Sequence, residues 1–391
     1  MPSMSSVTNI WNNVKEVDLR PLRNEATRLV KIAIVGAPGA GQEQLADQLR
    51  HDPSRPGTET QTPLLVASLE DAVRVDDADL LILVVDATRQ EFHREKELAR
   101  TWLDEGKKWL VFINQPADTR QVSPHGAWTD WGTKHLIYGP AGDGAFLQLE
   151  LAPVVLEMLL DHHLSLARHF PLFRMPVAVK LINDTSFSNA TYSLSTGLAE
   201  IVPVIDIPLN VADMVVLTKA QAFLVYKLGL ALGLSTEWRD YITEFGSVLG
   251  GGFVWRQVAR SLVGLIPGWG IVPKVAVAYS GTYVVGNVVL QWYLTGRHLN
   301  RQQISNMYRQ ALLRGRDVAR QLVSRAPKPR IRIGRRKPEA LPAPESPASL
   351  PDGLSASSGN TQPENPFKVC ANCGRSNAPD AVFCQYCGKP L

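Results

Sequence analysis

Between residues 29 and 141 the apolar positions come in short bursts. "LVKIAIVG", "PLLVAS", "DLLILVVDA", "KWLVFIN" and "KHLIYG" are brief runs rich in Val, Ile and Leu. Their apolar positions are consecutive, not alternating, so each run predicts a strand buried on both faces. Between them lie "QEQLADQLR", "LEDAVRVDD" and "QEFHREKELARTWLDEG", which follow a helical pattern; the last places Leu98, Trp102 and Leu103 on one side. Doubly buried strands separated by helices predict an α/β fold, a doubly wound parallel sheet with helices on both faces. The next segment, "AFLQLELAPVVLEMLLDHHLSLARHF", predicts a long helix interrupted near Pro153 that closes this unit at residue 170.

The pattern changes after that point. From about 175 to 294, long apolar helical stretches are broken by Gly and Pro and carry few charges, which predicts an all-α helical domain over 171–300. Residues 275–294, "VAVAYSGTYVVGNVVLQWYL", contain no charge and are long enough to cross a bilayer. Ser280, Thr282, Asn287 and Gln291 temper the run, so two readings stay open: a membrane span, or a core helix packed closely at Gly281 and Gly286. Residues 301–325 read as a basic amphipathic helix, with Ile304, Met307, Tyr308, Ala311 and Leu312 on its apolar side. Residues 326–366 form a Pro/Ser-rich linker with a basic start, expected to be disordered, and 367–391 form a compact cysteine module. Residues 1–28 precede the first strand as an N-terminal arm.

Charge divides the chain more sharply than hydropathy does. The 391 residues carry a net +4, yet 297–337 alone hold thirteen Lys and Arg against Asp317, leaving the remainder acidic. Such an asymmetry points to an anionic partner, a membrane surface or nucleic acid. The stretch "RAPKPRIRIGRRK" has seven basic residues and no aromatic for base stacking, which favours a lipid surface. The initial segment lacks a continuous apolar core of the secretory type, and the cysteines do not staple the body of the chain. A reducing, cytoplasmic setting with membrane association is the expectation.

All four cysteines fall within "CANCGRSNAPDAVFCQYCGKPL". Cys370 and Cys373 make one C-x-x-C, Cys384 and Cys387 another, ten residues apart. Each such turn presents two thiolates from one knuckle, and four thiolates satisfy tetrahedral Zn²⁺ completely. The site this predicts is closed and structural, with Gly374 and Gly388 easing the turns. Two disulfides or a redox pair are the competing readings. The segment resembles the short zinc ribbons of many bacterial and archaeal proteins, which implies an unidentified protein partner.

The first strand runs into "GAPGAGQEQL", the frame of a phosphate-binding loop with altered chemistry. Gly36, Gly39 and Gly41 keep the backbone freedom such a loop needs. Gln42 stands where a lysine would reach the phosphates, and Glu43 where a hydroxyl would hold Mg²⁺. From the residues alone, a weakened anion cradle and a plain strand-to-helix turn both remain open. "DADLLILVVDATR", ending its strand at Asp86, "WLVFINQPAD" and "LIYGPAGDGAFLQL" then complete a resemblance to Era-like GTPase domains over 29–170. The resemblance implies nucleotide binding by Gly36, Gly39, Gly41, Gln42, Glu43, Asn114 and Asp118, with GTP or GDP as ligand. Departures accompany it: Gln115 replaces the guanine-motif lysine, Ala117 stands where its Asp belongs, Asp118 comes one residue late, and no D-x-x-G switch is present. These departures leave Mg²⁺ and efficient hydrolysis unsupported.

"NVADMVVLTKAQAFLVYKLGLALG", "GLIPGWG" and "SGTYVVGNVVLQWYLTGR" resemble the bacterial helical domain called domain of unknown function 697, over 177–297. That resemblance implies a membrane partner and no catalytic residue. The expectation is a prokaryotic, membrane-associated regulatory or scaffolding protein, a pseudoenzyme with a zinc ribbon. An active GTP-binding switch with an atypical loop and a nucleic-acid-binding adaptor are the alternatives. Asp161, His162, His163 and His169 read as a helix-end cluster and not as a metal site, and Trp128 and Trp131 as cover for the sheet edge.

Overall fold

The structure is a computed structural model that describes residues 18–55, 57–75, 77–89, 91–115, 131–199, 209–241, 271–297, 299–325, 368–371 and 376–377. The five apolar runs form β1 (Ile32–Gly36), β2 (Leu65–Ser68), β3 (Leu80–Asp86), β4 (Trp109–Asn114) and β5 (Leu136–Gly139). All neighbours are parallel, in the order β2-β1-β3-β4-β5. The two faces of these strands explain their unbroken hydrophobicity. Ile32, Ile34, Leu80, Ile82, Val84, Leu110 and Phe112 point into a core shared with α2 (Gln42–Arg50) and α4 (Gly144–Met158). Ala33, Val35, Leu81, Leu83, Val85, Val111 and Ile113 point into the opposite core, shared with α3 (His93–Asp104). Trp131 is buried in that second core, 5.8 Å ring to ring from Phe92, and Trp128 lies outside the described residues.

The helix break expected at Pro153 falls elsewhere. Pro153 sits within α4, and the chain leaves the helix at Leu159, with φ −117° and ψ 58°. The proline removes one N–H and the helix tolerates it. A 3₁₀ turn, Leu160–His162, then leads into α5 (His163–His169), and the His163 ring contacts the Leu156 carbonyl at 2.8 Å. Ahead of the sheet, α1 (Arg20–Thr27) is docked: Ala26 is fully buried, Glu25 accepts from the Leu164 amide, and Arg23 pairs with Glu237 at 2.8 Å.

The helical part consists of α6 (Arg174–Ala199), α7 (Leu209–Ala231), α8 (Ile271–Thr295) and α9 (Arg301–Arg325). Helix α8 touches the other three, and residues 275–282 are buried without interruption. Encirclement by protein accounts for its all-round apolar surface. Gly286 lets it approach Ile182 and Leu224, where an added Cβ would come within 2.7 Å and 3.0 Å. Two of its polar residues face inward: Thr282 accepts from Asn189 at 2.7 Å, and the Ser280 hydroxyl lies 3.0 Å from the Ala311 carbonyl. The membrane-span reading of 275–294 is therefore replaced by the core-helix reading: among the described residues no helix is long and apolar enough to cross a membrane.

The core does not stop at the sheet. Leu166, Phe170, Phe173 and Val177 join the α2–α4 side to Tyr226, Leu230 and Tyr241 in one cluster.

Candidate functional site

In sheets of this order, ligands collect outside the carboxyl ends of the strands, where the winding direction reverses. Gly36 ends β1 there, close enough to β3 that a Cβ would meet the Val84 carbonyl at 2.8 Å. Gly39 and Gly41 take φ of 79° and 106°, so the loop relies on glycine at both. A side chain on Gly41 would also collide with the Asn114 amide. Asn114, at the end of β4, donates from Nδ2 to the Ala40 carbonyl at 2.9 Å and accepts from the Ala141 amide at 2.9 Å. It clamps the β1–α2 loop to the loop after β5.

A cleft of about 590 Å³ opens against this clamp. One wall is Gly39, Gly41, Gln42, Glu43 and Gln44; the other is Pro140 to Asp143 with Asn114. Gly41 caps α2 without a side-chain bond, so the first-turn amides of that helix have no side-chain acceptor from the cap. Gln42 is 9% exposed and its Oε1 is buried without a hydrogen-bond partner. Glu43 is exposed in the first turn. Across the cleft, Asp143 caps α4, its Oδ1 accepting from Ala145 and Phe146. Of the nucleotide residues expected from sequence, Gly39, Gly41, Gln42, Glu43 and Asn114 thus line one cleft, Gly36 supports it from beneath, and Asp118 lies outside the described residues.

The opposite side of the loop is a second crevice, lined by Ala37, Pro38, Ser68, Arg89, His93 and Arg94, among others. Both of its arginines are paired: Arg89 with buried Glu95 at 2.9 Å and Arg94 with Glu70 at 3.0 Å. Asp86, at the end of β3, spends Oδ1 on the amide and hydroxyl of Thr88, both at 2.8 Å. The carboxylate stabilises its own turn.

The far end of α2 carries a different arrangement. Asp52 is 2% exposed and Arg174, opening α6, is 7% exposed. Asp52 accepts from the Ser54 amide through Oδ1, while its Oδ2 and the Arg174 Nε are buried without partners. Burial raises the Asp52 pKa and lowers that of Arg174, each opposed by attraction to the other. Nearby, Thr60 and Thr62 donate to the His169 carbonyl, and Arg168 donates to the Leu234 carbonyl just past the C-terminal end of α7. This joint was not legible in the sequence.

The histidines do not gather a metal: among the described residues no group of three His, Cys, Asp or Glu side chains is placed to hold one. His169 donates from Nδ1 to the Ser165 carbonyl and burial lowers its pKa. At the C-terminal side, β6 (Lys368–Val369) pairs antiparallel with β7 (Ser376–Asn377). Cys370 follows β6 directly and is 1% exposed, at the start of the turn that the hairpin closes. A buried thiol at a hairpin knuckle suits a zinc ligand. Cys373, Cys384 and Cys387 lie outside the described residues.

Residues 369–391 match the zinc-ribbon domain family. No curated protein matches the chain. The ribbon is thus a zinc-binding domain by family, attached to a five-stranded parallel α/β sheet and its helices. Sequence reasoning missed Asp143 and the Pro140–Gly142 wall, although Asp143 followed by a helix is a readable N-cap signature.

Proposed function

We propose that this is a regulatory or scaffolding protein whose sheet is a degenerate GTPase-like domain, held peripherally at an anionic membrane surface and carrying a structural zinc ribbon. The observation that carries the reading is Gln42: the position that would hold a cationic side chain is filled by a buried neutral amide. A hydrolytic site needs charge placed against the transferring phosphoryl group. The described lining of the cleft supplies no lysine or arginine, and Asp86 is engaged with Thr88. The Asn114 clamp, meanwhile, supports an inherited nucleotide-loop frame kept for shape. The test is GTP turnover by the full-length protein with Mg²⁺; turnover above the uncatalysed rate that is lost in Gln42→Ala would sink the pseudoenzyme reading.

Two features support the surface role. Helix α9 buries Ile304, Met307 and Ala311 and leaves Arg309, Leu313, Arg316 and Arg320 exposed along one outward stripe. The sequence continues into the seven basic residues of 325–337. Each Lys or Arg near an anionic bilayer contributes about 1 kcal/mol. Flotation with phosphatidylserine vesicles, lost in Arg316→Glu/Arg320→Glu, is the expected result; salt-sensitive retention on RNA in its place would favour a nucleic-acid adaptor. Cys370, Cys373, Cys384 and Cys387 are the proposed zinc ligands.

A further inference from the structure

The basic arm has a chemical counterpart elsewhere on the chain. On the α3 face of the sheet, the crevice beside Ala37 and Pro38, about 460 Å³, adjoins another of about 430 Å³ between α3 and the loop after β2. The two share Leu69, Glu70 and Arg94, so they form one groove along α3. Its floor is apolar, built by Leu69, Ala72, Leu98 and buried Trp102. Its rim is acidic, with Glu91, Glu97 and Glu105 exposed along it. Glu91 and Glu97 enter no ion pair among the described residues, and Glu105 meets Lys107 only at 3.9 Å. The groove's two arginines are already engaged with Glu95 and Glu70.

An apolar floor under open carboxylates suits a basic segment that also carries aliphatic side chains. Residues 330–337, "RIRIGRRK", are such a segment: Arg330 and Arg332 alternate with Ile331 and Ile333. Laid out as an extended strand, these positions fall on opposite sides. The isoleucines then match the floor, and the long arginine stems carry their charge to the rim. A chain cannot fill its own groove in this way. Helix α6 leaves the core shared with the sheet after Leu181, and Ala319 and Leu322 of α9 pack with Leu194, near the far end of α6. Leu194 stands about 30 Å along that helix from Arg174. From Arg325, where α9 ends, the chain to Ile333 spans at most about 29 Å fully extended. It would also have to pass the sheet, because α6 starts on the α2–α4 face and the groove lies on the α3 face.

We infer that the groove along α3 receives residues 330–337 of a second copy of this chain, so that copies join head to tail. The inference goes beyond the surface role and does not depend on it. Two different patches meet, so every joined pair keeps one open arm and one open groove. Such a contact builds chains or rings in place of two-fold dimers.

The test is sedimentation velocity of the full-length protein over a range of concentrations and salt. The wild type should form species beyond the dimer at low salt, and high salt should weaken the contact by about tenfold or more. Arm reversal, Arg330→Glu/Arg332→Glu, and groove reversal, Glu97→Lys/Glu105→Lys, should each weaken it by at least about tenfold. Glu97 and Glu105 are exposed, and an unchanged melting temperature checks that groove reversal leaves the fold intact. Mixed in equal amounts, the two variants should pair and stop at dimers, because one keeps the arm and the other the groove. A chain carrying both reversals should regain the longer species. A wild type that stays monomeric at low salt overturns the inference. Self-association that survives either reversal, or mixed variants that fail to pair, overturns it too.

Discussion

The two ends of α2 handle charge in opposite ways. At the amino end, where the helix meets a ligand-sized cleft, the buried side chain is neutral Gln42 and the nearest charge, Glu43, is exposed. Just past the carboxyl end, away from the cleft, Asp52 and Arg174 are both buried. Sites that stabilise developing charge usually show the reverse, with the costly buried charge at the cleft. The contrast teaches that buried opposite charges need not mark chemistry. Here they attract one another between the loop after α2 and the first turn of α6 without a direct hydrogen bond at Asp52 Oδ2 or Arg174 Nε, and the cleft carries the softer chemistry of amides.

The largest test of this contrast is at the joint. Arg174→Met leaves Asp52 buried without its compensating charge and should cost about 3–5 kcal/mol in denaturant unfolding, whereas Asp52→Asn/Arg174→Met should recover most of that loss. A single substitution that costs under about 1 kcal/mol would remove the joint from the argument. At the cleft, Gly41→Ala adds a side chain at φ 106° and against Asn114, and should cost about 2–3 kcal/mol. Asn114→Ala should cost about 1–2 kcal/mol, because the Ala40 carbonyl and Ala141 amide lose their partner, and protease sensitivity should rise first in those two loops.

A smaller effect follows from pH. The folded pKa of Asp52 is raised by burial, so the folded protein holds that proton to higher pH than the unfolded chain does. The stability it contributes is fully present below the ordinary carboxylate pKa and is lost as pH rises through the raised value. Urea titrations from pH 3 upward should therefore show Asp52→Asn gaining on the wild type as pH rises; parallel curves would show the carboxyl to be unperturbed. The smallest effect on the main body is expected from the metal. Chelation, or Cys370→Ser, should release zinc and unfold the ribbon, and shift the melting of the sheet and helices by less than about 1 °C, since the folding energy of such a module is its metal binding.

What the sequence made legible depended on how local the cause was. The five strands stood out because each is apolar on consecutive positions, a pattern that needs only the strand's own residues. The frame of the cleft was readable for the same reason: Gly36, Gly39, Gly41, Gln42 and Glu43 are contiguous with β1. Asn114 was noticed as a base-reading residue, but its clamp between Ala40 and Ala141 joins three separate loops and no spacing reveals it. Pro153 drew attention as a breaker, yet the break depends on the non-helical backbone at Leu159. Residues 275–294 remained ambiguous because hydropathy cannot tell lipid from protein as the surrounding apolar medium. That decision lay with α6, α7 and α9.

The shared cluster running from Ile34 and Phe112 through Phe173 to Tyr226 and Tyr241 sets the practical limits of dissection. A fragment ending near residue 170 would forfeit the helical wall on which Leu166 and Phe170 rest, and a fragment beginning there would forfeit its floor. Sheet and helices lack autonomy: they should be lost in a single cooperative step, and recombining either half with a foreign partner would require that seam to be redesigned first.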